Sequence, residues 1–260
     1  MNRVACRLLA ALALVALPAC STRPAPTRRL AIGAAASLRY ALEAVGADFA
    51  QRYRGVVVEP VYASSEELSR LARSGAPLDL VLLADEERPR RLAALGLGDA
   101  DGPFVYGAGR LALWVAHGRT VTAGDGLAVV ARPEIERLGL ADGHLAPYGA
   151  LAAQALGRSG LRPAAERKPA VLPNADRVAQ AAAADELDAA LLPLSLALAP
   201  PLAAAGEARA VSGLPDQRHA GLILARAREP GLARTFRHYL SSRAARRLMA
   251  AAGVAEASPR

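Results

Sequence analysis

The sequence predicts an α/β protein whose mostly parallel sheets are flanked by helices. Two observations lead to this fold class. Short apolar runs, which predict strands, alternate with segments of helical periodicity. Each of the first three predicted strands, at residues 30–35, 56–63 and 78–84, is followed by a predicted helix. Strands that alternate with helices favour parallel pairing, because each helix carries the chain back to the start of the next strand.

The first three predicted helices are recognised from an apolar face or from a residue that ends the helix. Residues 38–52 place Leu42, Val45 and Phe49 on one face. The second helix covers the segment EELSRLARS, and the third passes through Leu92 and ends at Gly96. Ligands of such sheets gather where strands end and helices begin, so we expect a site at this edge.

The second half of the chain is less regular. It predicts a strand at 109–117, a glycine-rich turn and a charged helix within 118–145, and helices at 149–157 and 177–186. An apolar run, LDAALLPLSLALA, precedes a predicted strand at 221–227 and a helix at 230–250. We expect the chain to cross between two lobes near 107–110 and 214–220. The predicted lobes are residues 30–107 with 219–260, and residues 108–218.

The N-terminus predicts secretion. Residues 1–20 begin with basic side chains, continue with an apolar stretch and end in Leu-Pro-Ala-Cys, which predicts a signal peptide with a lipobox at Cys20. An ordinary signal peptide that contains a cysteine is the alternative. Residues 21–29, rich in proline and polar groups, predict a linker. Cys6 lies inside the signal peptide, so no disulfide is expected in the mature chain.

Composition excludes some classes of function. The 260 residues are 53% hydrophobic with a net charge of +8. That charge would permit binding to nucleic acid or an anionic membrane. The arginines are scattered along predicted helices without interleaved aromatic residues, which favours a solvated basic surface. We expect no nucleic-acid partner, and contact with a membrane only through a lipid anchor.

Capping residues stand at the beginnings of four predicted helices. They are Ser37, the pair Ser64 and Ser65, the segment Ala146–Gly149, and the segment beginning at Asn174. A serine before a helix is usually a cap. Helix N-termini also carry unpaired N–H groups and partial positive charge, so several that converge can bind an anion without any cation.

The motifs AASL, YASSEEL, SGAPLDLVLLAD, YGAGRLALW and LAPYG occur in an order that resembles the periplasmic molybdate-binding proteins of ABC transporters. The resemblance covers about residues 30–255, and SGAPLDLVLLAD and APYG are its most specific parts. It implies a two-lobed periplasmic-binding-protein fold with the ligand in the cleft between the lobes.

The resemblance also implies ligand-binding residues. Ser37 and Ser65 would each donate a hydroxyl and a backbone N–H to the oxyanion. Tyr148, in APYG, and Val178, in NADRV, would each contribute a backbone N–H. The segment LPNADRV is one residue longer than is usual in relatives. Where some relatives place a tyrosine hydroxyl on the anion, this chain has Pro193 and its neighbours.

Other chemistry has less support. The histidines lack metal-ligand spacing, so no metal site is expected, and His144 is expected in an exposed loop. Trp114 is expected in the core, and Asp79 and Asp85 are expected in turns and caps rather than in catalysis. A secreted serine hydrolase using Ser37 or Ser65 would need a nucleophile elbow and a His-Asp order that are not evident.

The sequence therefore predicts a non-enzymatic solute-binding lipoprotein of the periplasm or cell envelope. Its ligand would be molybdate, and also tungstate, delivered to an ABC transporter permease in the inner membrane. We expect a monomer without a cofactor. The alternative with the same fold is a surface lipoprotein or sensor with altered or lost oxyanion specificity, such as sulfate or phosphate.

Overall fold

The computed structural model describes residues 27–258, which form two β-sheets with helices packed against them. The predicted signal peptide and Cys20 lie outside these residues. The first strand begins at Arg28, inside the predicted linker. Within the described part, no helix is both long and apolar enough to cross a bilayer.

The first sheet has six strands in the order β11-β4-β10-β3-β1-β2. Strand β1 pairs in parallel with β2 and β3, whereas β10 runs antiparallel to β3 and β4. The strands are β1 (Arg28–Ala35), β2 (Val56–Ala63), β3 (Leu80–Leu83), β4 (Phe104–Gly109), β10 (Gln217–Ile223) and β11 (Val254–Ala255). The helices that belong to this part of the chain are α1 (Arg39–Arg52), α2 (Ser65–Arg73), α3 (Glu87–Ala94), α9 (Pro230–Leu240) and α10 (Arg243–Ala251). We call this sheet and its helices the first lobe.

The second sheet has five strands in the order β7-β6-β8-β5-β9, with β6 parallel to β7 and β8 and with β5 antiparallel to β8 and β9. The strands are β5 (Leu111–Ala116), β6 (Leu138–Ala141), β7 (Pro169–Leu172), β8 (Ala189–Pro193) and β9 (Gly206–Ala210). The helices are α4 (Pro147–Arg158), α5 (Arg162–Ala165), α6 (Ala175–Ala183), α7 (Leu194–Ala197) and α8 (Pro200–Ala205), with a 3-10 segment at Ala123–Ala131. We call this sheet and its helices the second lobe. Two mixed sheets flanked by helices confirm the predicted fold class.

The chain changes sheet twice. It leaves the first sheet at Gly109 and enters the second at Leu111, and it returns between Ala210 and Gln217. One cluster of buried apolar residues includes members of both sheets, such as Leu82 of β3 and Leu113 of β5. Trp114 of β5 belongs to a second cluster and is fully buried, as predicted. Its indole N–H donates to the carbonyl oxygen of Leu202 at 3.0 Å.

Two predicted helices are corrected by the structure. The charged segment before residue 145 contains the four-residue strand β6 instead of a helix. The predicted helix at 230–250 is two helices, because the hydroxyl of Ser242 accepts the Ala245 N–H at 3.2 Å and begins α10. A capping serine that ends one helix and starts the next leaves the apolar periodicity almost unchanged.

Candidate anion-binding site

The beginnings of four helices meet at one small cavity between the lobes. The cavity is small, and the space among its lining atoms amounts to about 240 Å³. The first lobe lines it with residues before α1, before and within α2, and after β3. The second lobe lines it with the first residues of α4 and α6. The lining residues are Ala35, Ala36, Ser37, Ala63, Ser64, Ser65, Ala84, Ala146, Pro147, Tyr148, Asn174 and Ala175.

Ser37 presents a buried hydroxyl that the protein does not use. The residue is 3% exposed, and its Oγ has no hydrogen-bond partner among the described residues. It lies in the single 3-10 turn Ala36–Leu38 and makes no side-chain cap to this turn or to α1. Buried hydroxyls are almost always paired, so this one needs an explanation.

Ser65 provides a second buried hydroxyl at the cavity. It is the first residue of α2 and is 1% exposed. Its Oγ accepts the N–H of Ala84 at 3.2 Å, which leaves its own O–H proton free to donate. The cap of α2 is instead Ser64, whose Oγ accepts the N–H of Glu67 at 3.2 Å. Both serines line the cavity, and only the hydroxyl of Ser64 is used to cap the helix.

Tyr148 lines the cavity at the second position of α4. The first position is Pro147, which has no N–H, so the Tyr148 amide is the first donor of that helix. The phenol extends away to the other lobe, where its Oη lies 3.0 Å from Nε2 of His219. Burial raises the pKa of Tyr148 and lowers that of His219 to about 3, so both side chains are neutral at physiological pH.

Val178, which the resemblance assigns as a donor, is not among the residues that line the cavity. It is fully buried, and its N–H donates to the carbonyl oxygen of Asn174 at 3.2 Å within the helix. Helix α6 begins at Ala175, so Val178 is already one turn inside it. The residues of this helix at the cavity are Asn174 and Ala175. The Asn174 side chain caps the helix by accepting the N–H of Arg177 at 3.0 Å.

The electrostatics of the cavity come from helix ends, because no lysine or arginine is among its lining residues. The first amides of a helix have no intrahelical partner and carry partial positive charge. Four such ends, together with the hydroxyls of Ser37 and Ser65, form a set of neutral donors suited to one small anion. Pro193 is not among the lining residues.

The lobes contact each other around the cavity. Glu66, in the first turn of α2, donates its N–H to the Leu145 carbonyl oxygen at 3.2 Å. Ser195 of α7 donates its hydroxyl to the carbonyl oxygen of Ser37 at 2.7 Å. The structure therefore shows the cleft closed, which keeps bulk water away from the donors.

The sequence profile described as "Bacterial extracellular solute-binding protein" matches residues 30–255. The chain belongs to this family of bacterial extracellular solute-binding proteins. The match covers nearly all of the described residues. The family is one of binding proteins, which confirms the expectation that the chain is not an enzyme.

Two relatives of this solute-binding protein are molybdate-binding proteins named ModA. The one from Rhodobacter capsulatus is 28% identical over 145 residues, which are 56% of each chain. The one from Azotobacter vinelandii is 36% identical over 96 residues, which are 37% of each chain. The aligned part thus spans about half, or less, of these relatives.

Solved structures show the same fold. The periplasmic molybdate-binding protein of Azotobacter vinelandii superposes with a TM-score of 0.78 at 23% identity, covering 89% of this chain and 100% of that one. The sulfate-binding protein SubI of Mycobacterium tuberculosis superposes with a TM-score of 0.74 at 19% identity, covering 89% of this chain and 88% of that one. At these identities the likeness concerns the fold alone.

The other candidate residues of the solute-binding protein have structural roles. Asp79 accepts three backbone N–H groups, from residues 31, 228 and 229, and Asp85 accepts the N–H of Arg88 at 2.7 Å. The bond of Asp85 to a residue three positions later is of the local kind predicted for a turn or cap, whereas Asp79 joins β1 to the segment before α9. His144 is exposed, as predicted. Among residues 27–258, no three His, Cys, Asp or Glu side chains lie together as metal ligands would.

Proposed function

We propose that this solute-binding protein captures molybdate, and also tungstate, for import by an ABC transporter. The observation that carries the proposal is the small cavity at four helix N-termini, whose lining includes Ser37 with its buried, unpartnered hydroxyl. A tetrahedral oxyanion would satisfy that hydroxyl, the O–H of Ser65 and the amides of Tyr148 and Ala175. The molybdate-binding relatives support molybdate within this class of anions.

The chemistry of the cavity favours an anion that carries no proton. No aspartate or glutamate is among the lining residues, and the Asn174 side-chain oxygen is already occupied by the Arg177 N–H. A hydrogen phosphate ion would bring an O–H into a site that offers mainly donors. Molybdate, tungstate and sulfate are fully deprotonated at neutral pH and need only donors. We therefore place phosphate last among the four anions.

Calorimetry of the mature protein with molybdate, tungstate, sulfate and phosphate tests the proposal. We expect heat of binding and a higher melting temperature with molybdate and tungstate, because a ligand that binds only the folded state stabilises it. Phosphate should give neither. If none of the four binds, the transport function is refuted, and a sensor that has lost oxyanion binding becomes the better description. Binding to sulfate that is tighter than to molybdate would refute the molybdate assignment and keep the solute-binding role.

We also propose that the mature protein is a monomer held in the cell envelope through a lipid on Cys20, where it would meet a permease in the inner membrane. The support is the Leu-Pro-Ala-Cys sequence followed by a polar, proline-rich stretch. Cys20→Ser in the full chain should move the protein from the membrane fraction to the soluble fraction of a Gram-negative host. An unchanged distribution between the two fractions would refute the anchor.

A further inference from the structure

One ion pair joins the two lobes directly beside the cavity. Arg39, the first residue of α1, follows Ser37 by two positions, and Asp176, in the first turn of α6, follows the cavity-lining Ala175. The pair is bidentate. Nε of Arg39 lies 2.8 Å from Oδ1 of Asp176, and Nη2 lies 2.7 Å from Oδ2. Two parallel hydrogen bonds between a guanidinium and a carboxylate form the strongest common type of ion pair.

The pair is held on both sides. The guanidinium lies over the ring of Tyr62, 4.3 Å from its centroid, and the Tyr62 hydroxyl donates to the Arg39 carbonyl oxygen at 3.2 Å. Asp176 accepts a further hydrogen bond from the Gln180 side-chain amide at 2.9 Å. Its side chain is only 13% exposed and that of Arg39 is 30% exposed, so solvent screens the pair less than it screens an ordinary surface pair. The hydrogen bond with Asp176 raises the pKa of Arg39, so the arginine stays charged.

Opening the cleft has to break this pair, because one partner belongs to each lobe. Opening would also leave the Asp176 carboxylate without its counter-charge, next to the two residues of α6 that line the cavity. A bare carboxylate there would repel an anion, whereas a neutralised one would not. Closure of the lobes therefore favours the bound anion in two ways: it forms the ion pair, and it neutralises the Asp176 carboxylate.

We propose that Arg39 and Asp176 form a latch that retains the anion after closure and slows its release. The proposal rests on the oxyanion-binding function proposed above. Arg39 does not line the cavity, so it acts as a positioning residue: it holds the first turn of α6 against the first lobe and neutralises Asp176. The latch predicts an effect on the rate of dissociation, with little effect on the rate of association.

The double variant Arg39→Gln/Asp176→Asn tests the latch without a change in net charge. Radiolabelled molybdate, chased with excess unlabelled molybdate, should leave this variant about tenfold faster than wild type, the size of effect expected from a lost charge-assisted hydrogen bond. The association rate should stay within about twofold. Arg39→Gln alone should release molybdate faster still, because it leaves the Asp176 carboxylate unneutralised.

A matched control exists within the first lobe. Arg28 donates two hydrogen bonds to Glu229, at 3.2 and 2.6 Å, and this pair does not cross the cleft. Arg28→Gln/Glu229→Gln should leave the dissociation rate unchanged. A dissociation rate in the Arg39→Gln/Asp176→Asn variant equal to that of wild type would overturn the latch.

Small-angle X-ray scattering of the molybdate-free proteins tests the latch in a way that does not depend on molybdate binding. The Arg39→Gln/Asp176→Asn variant should show a larger radius of gyration than wild type, because fewer molecules are closed. If wild type does not bind molybdate, the proposed function fails, and this measurement still decides the latch. An unchanged radius of gyration would then overturn it.

Discussion

Gly149→Ala is expected to lower the free energy of unfolding by about 3 kcal/mol and to abolish measurable molybdate binding. Gly149 is the third residue of α4, next to the cavity-lining Tyr148. A Cβ added at Gly149 would overlap the carbonyl oxygen of Ala141 and lie 2.7 Å from the carbonyl carbon of Asp142. These are backbone atoms at the end of β6, so relief requires α4 to move away from the strand and to carry the Tyr148 amide with it. Urea denaturation and calorimetry measure the two effects.

Gly231→Ala is the matched control. Gly231 is also in the first turn of a helix that begins with proline, α9, but a Cβ there would have no atom within 4 Å. Alanine at such a position restricts the unfolded chain and should stabilise the protein by about 0.4–1 kcal/mol, with molybdate binding unchanged. If Gly149→Ala instead matched wild type in stability and binding, close packing on β6 would not be what positions the Tyr148 amide.

The first lobe was the more predictable half of the fold. Its strands β1, β2 and β3 are apolar runs separated by helices with clear periodicity, and the predicted ranges agree with the observed ones to within a few residues. Strands β4 and β11 of this lobe were not predicted, because Phe104–Gly109 contains two glycines and alternates only weakly, and Val254–Ala255 is too short to alternate at all. Strand β10 begins at Gln217, four residues before the predicted strand at 221–227. Long, regular elements carry enough local signal to be identified from sequence.

The second lobe was less predictable because its strands are short. Strands β6 and β7 have four residues each, and β8 and β9 have five. Strand β6 is stable because it lies between β7 and β8, which are contributed by later parts of the chain. Four residues cannot show a period of two convincingly, so the charged residues before β6 dominated the prediction. This strand forms because of its tertiary pairing with β7 and β8, and local sequence does not report that pairing.

In the candidate site, too, residues that belong to short motifs could be predicted from the sequence, whereas contacts between distant residues could not. Ser37 and Ser65 were predicted from short motifs, because each stands where a strand gives way to a helix. The assignment of Val178 depended on where α6 begins: the helix starts at Ala175, two residues before the predicted start, and the Val178 N–H is paired with Asn174. The bond between Arg39 and Asp176 joins residues 137 positions apart, and no pattern along the chain reports such a contact.

Ser37→Ala is expected to weaken molybdate binding by about 1–3 kcal/mol, roughly 5- to 150-fold in Kd, while leaving the stability of the ligand-free protein unchanged or slightly higher. The two effects diverge because the Ser37 Oγ has no hydrogen-bond partner among the described residues, so the ligand-free protein loses no bond with it. A bound oxyanion would lose a donor that sits in a closed cavity. Ser65→Ala should lower both the affinity for molybdate and the stability of the ligand-free protein, because the Ser65 Oγ also accepts the Ala84 N–H.

Ser69→Ala separates a binding role from the general effect of removing a buried hydroxyl. Ser69 lies in α2, its Oγ is likewise buried without a hydrogen-bond partner among residues 27–258, and it does not line the cavity. Its replacement should therefore change the Kd for molybdate by less than the experimental error, with a stability change of the same sign as that of Ser37→Ala. Calorimetry and thermal denaturation of the two variants, side by side, measure this contrast. Equal affinities in both variants would mean that the unpartnered hydroxyl of Ser37 is a packing feature, and that the oxyanion is held by the helix amides alone.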